Sequence, residues 1–323
     1  MTAVREDTVL TLRLPFREQL AVHRTVFEGG DGPRVAVVSG LHGDELEGLY
    51  VTHRLAAWLE GLLGERPDAL RGTVALYPAV NPLGIDTLTR GVPPTGTDLN
   101  RSFPGRADGV VPQRIAHALM DALAGSALVV DVHSSNVFLR EIPQVRINQA
   151  FADRLLPLAA TMNLDVVWVH GSLTVLEATL AHSLNERGIP CLVAEMGVGM
   201  RVTPAFAEQL LVGIVRTWQT LGVLAEDLEL PPLTHEPLLA DDGNVHYLNA
   251  DVSGLFVPVI HHWTGVRAGQ LLGRIVSPHR GHTAGEVLSP VDGALFTLRE
   301  YPLVYEGSLM ARIAAGGGPG GRA

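Results

Sequence analysis

Residues 34–45 read Arg34-Val-Ala-Val-Val-Ser39-Gly-Leu-His42-Gly-Asp-Glu45, an apolar run that leads through a glycine turn into charged residues. The run is short and β-rich, which predicts a strand over Arg34–Ser39. The pattern that follows predicts a helix over Glu45–Leu63. His42 therefore leaves the strand tip and Glu45 lies in the first helical turn, so both side chains can point at one spot.

The same alternation of strand and helix continues to about residue 223. Further strands are predicted at Gly72–Val80, Ala127–His133, Asp165–His170 and Pro190–Met196, further helices at Pro112–Ala124, Leu173–Arg187 and Pro204–Leu221, and an edge hairpin at Thr8–Leu14 and Leu20–Phe27. This order is typical of an α/β fold in which helices flank a mainly parallel or mixed sheet.

The composition changes near Glu226, where acidic residues and two prolines mark a linker. From about residue 235 to 314 the helical period is absent, and short alternating segments are separated by glycine and proline turns. We therefore predict an α/β domain over residues 1–225, a small C-terminal all-β domain over 226–315, and a disordered glycine-rich tail over 316–323.

Basic residues are unusual in this chain of 323 residues, because it contains no lysine and all 24 basic side chains are arginine. The absence of lysine excludes Schiff-base enzymes, a P-loop lysine, and a carrier with lysine-attached biotin or lipoyl groups. The formal net charge of -10, without a basic run, argues against a nucleic-acid partner.

Cys191 is the single cysteine, so it can form neither an intramolecular disulfide nor a cysteine-rich metal site, and we expect it to be buried. The N-terminus lacks a basic stretch followed by an apolar one. No apolar run reaches the roughly 18 residues that cross a bilayer. These features predict a cytoplasmic protein that is neither exported nor inserted into a membrane.

Two histidines and an acid follow predicted strands. His42 and Glu45 follow the first strand, and His133 ends the run Leu128-Val-Val-Asp-Val-His133. Ligands of open α/β sheets gather beyond the carboxyl ends of the strands, where these three can meet. Two histidines and a glutamate form a zinc set with a fourth position open for water, and Co²⁺ or Mn²⁺ also fit. Taken singly, each residue also fits a turn, a helix start or a surface histidine.

A third acid, Glu195, ends the apolar run that begins at Cys191. Next to a metal site it could accept a proton from water and pass it to a leaving group, and its structural alternative is a helix-cap or turn acid. Arg90 and Arg101 follow one strand and suit bidentate capture of a carboxylate, although arginines on loops are usually solvated.

The motifs together resemble the succinylglutamate desuccinylase/aspartoacylase family of the zinc-carboxypeptidase-like superfamily. The resemblance rests on five motifs in order over about residues 33 to 200: His42-Gly-Asp-Glu45, Asn81-Pro-Leu-Gly84, Asp98-Leu-Asn-Arg101, Asp131-Val-His133-Ser134 and Glu195-Met-Gly197. The appended β domain is also a feature of that family.

The resemblance implies a role for each matching residue. It implies one Zn²⁺ per chain on His42, Glu45 and His133; Glu195 as general base and acid; Asp98 orienting His42; Asn100 and Arg101 holding the substrate carboxylate; and Arg90 polarising the scissile carbonyl. It also implies one more arginine near Glu195, for which Arg187 and Arg201 are candidates, and a tyrosine from the β domain, which can be Tyr247, Tyr301 or Tyr305.

The resulting hypothesis is a zinc-dependent deacylase that hydrolyses the amide bond of an N-acyl amino acid or similar small amide. The alternatives are a zinc carboxypeptidase acting on peptides and a non-catalytic metal-binding relative. A serine nucleophile is disfavoured because no G-x-S-x-G motif occurs. The expected partner is the small N-acyl substrate, and a homo-oligomer is left open.

Overall fold

The computed structural model describes residues 3–16, 19–171 and 177–316. Its strands are β1 (Ala3–Leu12), β2 (Leu20–Glu28), β3 (Arg34–Ser39), β4 (Thr73–Tyr77), β5 (Leu128–Ser134), β6 (Leu139–Asn148), β7 (Val166–His170), β8 (Cys191–Gly197), β9 (Leu238–Asp241), β10 (Val245–Asn249), β11 (Gly254–Pro258), β12 (Thr264–Val266), β13 (Leu271–Ser277), β14 (His282–Leu288), β15 (Gly293–Arg299), β16 (Leu303–Val304) and β17 (Leu309–Ala315). Its helices are α1 (Glu47–Glu65), α2 (Pro82–Asp86), α3 (Val111–Ala122), α4 (Ala152–Ala159), α5 (Leu180–Glu186) and α6 (Pro204–Thr220).

A large mixed sheet organises the chain, in the order β1-β2-β4-β3-β5-β8-β6-β15-β17-β10. Its centre is parallel, because β3 pairs with β4 and β5, and β5 pairs with β8, all in one direction. Strand β6 runs antiparallel to β8 and makes the sheet mixed. The predicted α/β fold with a mixed sheet flanked by helices is therefore confirmed.

The two faces of the central strands carry two separate cores, as the period of two along a strand requires. Val35 and Val37 of β3 pack in the core that contains α1 and α6. Ala36 and Val38 face the opposite core, with α3 and α5. Gly48 lets α1 approach the sheet closely, because a Cβ atom there would lie 2.5 Å from Cβ of Ser39.

In the C-terminal part, as far as residue 316, the regular elements are all strands, as expected for a small all-β region. It contains a second, four-stranded sheet in the order β14-β13-β11-β16. Other strands of this part extend the large sheet: β15 pairs antiparallel with β6, and β9 pairs parallel with β7. Hydrogen bonding thus continues across the predicted boundary at residues 225/226, and the division into domains stays a prediction.

Several elements differ from the sequence-based expectation. Strand β6 and helix α4 were not predicted, because Pro143 interrupts the polar strand and Pro157 lies inside the helix. Helix α5 begins at Leu180, and the predicted helix start at residue 173 falls within residues 172–176, which lie outside the described residues. Except for Gly316, the predicted disordered tail also lies outside them. Among the described helices, none is long and apolar enough to span a bilayer.

Candidate active site

The candidate site lies where the central parallel strands end. His42 follows β3, His133 lies near the end of β5, and Glu195 lies opposite His133 in the register of β8. Because these strands are neighbours and parallel, their carboxyl ends meet at one edge of the sheet. Residues separated by more than 150 positions therefore share one cavity of about 420 Å³.

Glu45 lies between the two histidines and contacts both. Its Oε1 is 2.7 Å from Nδ1 of His42, and its Oε2 is 2.8 Å from Nδ1 of His133. The backbone N–H of Ser134 also donates to Oε2, at 3.2 Å. The histidines and Glu45 are all buried, and one ligand atom from each lies within 4.8 Å of the others. This set could hold a metal ion.

The second nitrogen of each imidazole faces a carboxylate. Nε2 of His42 is 3.0 Å from Oδ1 of Asp98, and Nε2 of His133 is 3.0 Å from Oδ2 of Asp131. Such partners hold the proton on Nε2 and leave the lone pair of Nδ1 facing Glu45. Each Nδ1 lone pair lies 2.7 or 2.8 Å from an oxygen of Glu45. At such a distance a proton or a metal cation must lie between the nitrogen and the oxygen. The donor set therefore fits a divalent metal.

The ionisation of these groups reflects their mutual contacts. Burial opposes the charge on Glu45, but the two imidazoles outweigh it and hold the pKa of this carboxyl below its usual range. Burial likewise disfavours the charged imidazoles, yet Glu45 and Asp98 raise the pKa of His42. Asp131 and Glu45 raise the pKa of His133 well above its usual value. The cluster therefore favours positive charge on the imidazoles and negative charge on Glu45.

Arg90 and Asp98 lie beside the histidine cluster. Nη1 of Arg90 is 2.8 Å from Oε1 of Glu45, and its Nη2 is 3.3 Å from Oδ2 of Asp98. Burial opposes ionisation of Asp98, but its hydrogen bond to His42 and the charge of Arg90 hold the pKa of its carboxyl below the usual range. Arg90 is thus positioned next to the set that could hold a metal.

Asn100 and Arg101 enter the cavity from a short 3-10 turn at Leu99–Arg101, which Asp98 caps by accepting from the backbone N–H of Asn100. The Oδ1 atom of Asn100 accepts from the backbone N–H of Leu180 at 2.8 Å, which fixes the amide. The Arg101 side chain donates to the backbone carbonyl of Asn100 at 2.8 Å. Both residues line the cavity, as does every predicted site residue except Asp98.

Glu195 faces an arginine that was not predicted. Nη1 of Arg146, on β6, is 3.1 Å from Oε2 of Glu195. Burial raises the pKa of Glu195 to about 7, and the charge of Arg146 limits this rise. Neither Arg187 nor Arg201, the candidates from sequence, belongs to the described lining of the cavity. Arg146 was missed because its strand was missed.

Behind Arg146 lies a buried group of charges that joins β6 to the C-terminal strands. Glu141 forms ion pairs with Arg146 and with Arg312 of β17, and its side chain is only 2% exposed. Both guanidinium groups lie 5.3 Å from the ring centroid of Trp168. Tyr247 contacts Arg312 at 5.6 Å, which makes it the tyrosine of the three candidates that lies beside this group. The sequence contained no motif for these contacts.

Comparison with known proteins gives the family-level context. The sequence model of the family described as succinylglutamate desuccinylase/aspartoacylase catalytic domain matches residues 31–221. The N-alpha-acetyl-L-2,4-diaminobutyric acid deacetylase of Halomonas elongata is 28% identical over 296 residues, which cover 90% of this chain and 84% of that protein.

Two solved structures share the fold over nearly the whole chain. A succinylglutamate desuccinylase/aspartoacylase from Rhodobacter sphaeroides is 26% identical with a TM-score of 0.77, and the match covers 92% of this chain and 90% of that one. The product-bound ectoine utilization protein EutE from Ruegeria pomeroyi is 24% identical with a TM-score of 0.82, and the match covers 97% and 95%.

Proposed function

This chain belongs to the succinylglutamate desuccinylase/aspartoacylase family, and we propose that it is a zinc-dependent deacylase that hydrolyses the amide bond of an N-acyl amino acid or similar small amide. The observation that carries this proposal is the joint placement of His42, Glu45 and His133 in one cavity with Glu195. A potential metal site and a buried acid with an elevated pKa are what amide hydrolysis requires.

His42, Glu45 and His133 would hold the zinc ion. When bound, zinc supplies a Lewis acid that polarises the acyl carbonyl and acidifies a water molecule. Asp98 and Asp131 keep the imidazole protons on Nε2, so both Nδ1 atoms stay available as ligands. Co²⁺ and Mn²⁺ suit the same donors, and zinc is our choice because two imidazoles and one carboxylate form a common catalytic zinc set.

Glu195 would act as the base and then as the acid. A carboxyl whose pKa is raised to about 7 can take a proton from water near neutral pH and return it to the departing amine. Arg90 would stabilise the oxyanion that develops on the carbonyl oxygen, since its guanidinium lies beside Glu45. Asn100 and Arg101 would hold the carboxylate of the substrate.

The comparisons support an acyl amino acid as the substrate. The relative from Halomonas elongata is named as a deacetylase of an N-acetylated amino acid, which is consistent with a small acyl group here. We also propose a cytoplasmic location, because the only cysteine, Cys191, is a buried free thiol.

Acyl release across a substrate panel tests the proposal. The zinc-loaded protein should release acyl groups from N-acetyl, N-succinyl and N-benzoyl amino acids faster than it releases C-terminal residues from peptides. Preferential removal of C-terminal residues would instead identify a carboxypeptidase. A protein that binds metal but turns over no compound would be a non-catalytic relative.

Glu195→Gln is the catalytic control. This variant should retain zinc and lose at least about 10²-fold in rate, because the amide cannot accept the proton. Glu208→Gln makes the same chemical change in the exposed pair with Arg54 and should keep full activity. Full activity of the Glu195 variant would remove this residue from the mechanism.

A further inference from the structure

All but one of the charged side chains described in the cavity wall are already paired within the protein, and this restricts the charge that a substrate can carry. We propose that the site selects N-acyl amino acids with one carboxylate and an uncharged side chain. This inference rests on the proposed deacylase function and specifies its substrate class.

Among the described residues, four arginines line the cavity, and three of them have protein carboxylates as partners. Arg90 contacts Glu45 at 2.8 Å and Asp98 at 3.3 Å. Arg146 contacts Glu195 at 3.1 Å and also pairs with Glu141. Each of these guanidinium groups therefore already has carboxylate partners within the protein.

Arg312 is the third committed arginine, because it pairs with the other oxygen of Glu141. Glu141 and the two arginines on it are largely buried, with side-chain exposures of 2%, 23% and 15%. Removing Glu141 from these partners to admit a substrate carboxylate would leave an unpaired buried charge, which is costly. This wall of the cavity therefore offers no free cation.

Arg101 is the exception. Within the described part of the chain, it donates a hydrogen bond to the backbone carbonyl of Asn100 and forms no ion pair, although its charge helps to lower the pKa of Asp98. It can bind one carboxylate of the substrate. His170 also lines the cavity, but burial and the charge of Arg146 lower the pKa of its imidazole, so it is neutral near pH 7. A second substrate carboxylate would find no partner.

A cationic side chain is equally disfavoured. The acids that line the cavity in the described part of the chain are Glu45, Glu141 and Glu195. Glu45 lies between the histidines, Glu141 accepts from two arginines, and Glu195 pairs with Arg146. An ammonium group would have to compete with these contacts, so its desolvation would go uncompensated.

A smaller chamber of about 40 Å³ adjoins the cavity and shares Arg146 and His170 with it. Phe151, Leu155 and Cys191 contribute to the rest of its wall. Its described lining contains no acid and no arginine other than Arg146. The chamber has room for about three water molecules, which is also the size of a short uncharged side chain.

Two pairs of nearly isosteric substrates test the charge rule on the zinc-loaded wild-type protein. N-acetylglutamine should have a kcat/KM at least about 10-fold above that of N-acetylglutamate. N-acetylnorvaline should exceed Nα-acetyl-2,4-diaminobutyrate by a similar factor. Equal or better turnover of the charged member of either pair would overturn the proposal.

Calorimetric titration of the same four compounds separates this inference from the proposed function. Binding of the neutral members without hydrolysis would disprove the deacylase and keep the charge rule. Equal hydrolysis of all four compounds would keep the deacylase and disprove the charge rule. Binding of none would overturn both.

A matched pair of variants tests whether the pairing of Glu141 with the two arginines causes the charge selectivity. Glu141→Gln removes the shared partner of Arg146 and Arg312, so the rate with N-acetylglutamate relative to N-acetylglutamine should rise at least about 5-fold. Glu300→Gln makes the same change in the surface pair with Arg140 and should leave this ratio unchanged. An unchanged ratio in a folded Glu141 variant would contradict the proposed cause, and the wild-type pairs decide the case if that variant does not fold.

Discussion

Arg146 and Glu195 lie on neighbouring strands, and their contact sets the protonation of the carboxyl. Burial raises the pKa of Glu195 to about 7, whereas the charge of Arg146 lowers it. A base must be unprotonated, so kcat/KM should fall as the pH drops through the pKa of Glu195. We call this fall of kcat/KM at low pH the acid limb of the pH profile. The pH at which it occurs therefore depends on the contact of Glu195 with Arg146.

Arg146→Met should move the acid limb to higher pH by roughly one unit, because the variant loses the charge that stabilises the carboxylate. Arg146→Lys keeps the charge and should move the limb less. Arg140→Met alters an arginine of the same strand that pairs with Glu300 and should not move it. The measurement is the pH profile of kcat/KM. An unchanged acid limb in Arg146→Met would show that the charge of Arg146 does not set the pKa of Glu195.

His42 and His133 link metal binding to pH. Their contacts with carboxylates raise both pKa values in the metal-free protein above the ordinary 6.5. Groups with raised pKa values stabilise the folded state below the unfolded pKa, and this contribution is lost as the pH rises through the folded values. Zinc must displace these protons in order to bind the Nδ1 atoms.

The apparent zinc affinity should therefore rise on the order of tenfold per pH unit for each displaced proton. Competition against a chelator at pH 6, 7 and 8 measures this slope, and removal of zinc should destabilise the protein most at pH 8. A flat affinity between pH 6 and 8 would show that the histidines do not release protons to the metal.

The sequence pointed to the candidate ligands His42, Glu45 and His133 because each follows an apolar strand within a short motif, and their role as ligands stays a prediction. Arg146 could not be predicted in the same way. It lies in β6, where Pro143 and the charged residues Arg140, Glu141 and Arg146 made a buried strand hard to predict. Its partner Glu195 is 49 positions away, and only the antiparallel pairing of β6 with β8 brings them together.

At the level of elements, the end of β8 is held by the first turn of α1. Glu47 is fully buried and accepts a hydrogen bond from the backbone N–H of Thr203, which precedes α6. Gly197 has a φ of +68°, and a Cβ atom there would lie 2.2 Å from Oε1 of Glu47. This close approach positions the strand end that carries Glu195.

Gly197→Ala should cost more than the roughly 1 kcal/mol expected from its positive φ alone, because Glu47 must move. Gly188→Ala is the matched control, since Gly188 has a φ of +80° and open space around its Cβ position. Urea unfolding and kcat measure both effects. Equal losses of stability in the two variants would show that the contact with Glu47 has no role.

For the whole molecule, the continuous sheet makes the C-terminal strands part of the active-site wall. Strand β15 pairs with β6, and Arg312 of β17 reaches Glu141. The buried contact should therefore couple the C-terminal strands to the rest of the chain. An exposed ion pair elsewhere in the same strands contributes little by comparison.

Arg312→Met should destabilise the protein by about 3 kcal/mol, because it leaves Arg146 as the single arginine paired with two buried acids, Glu141 and Glu195. Arg274→Met breaks the exposed pair with Glu286 and should cost less than about 1 kcal/mol. Urea unfolding of both variants gives the comparison. Similar costs for the two would mean that Arg312 does not act as a buried link.

Apart from β6 and α4, the alternation of strands and helices followed from the sequence, as did the all-β character of the C-terminal part and the candidate ligands His42, Glu45 and His133, because each depends on periodicity or on a short motif. The assignment of Arg146, Glu141 and Arg312 to the same cavity depended on the tertiary structure. These side chains meet through the pairing of β6 with β8 and β15, strands that are far apart in the chain. Such pairing is selected by packing of the whole sheet, and no local pattern along the chain encodes it.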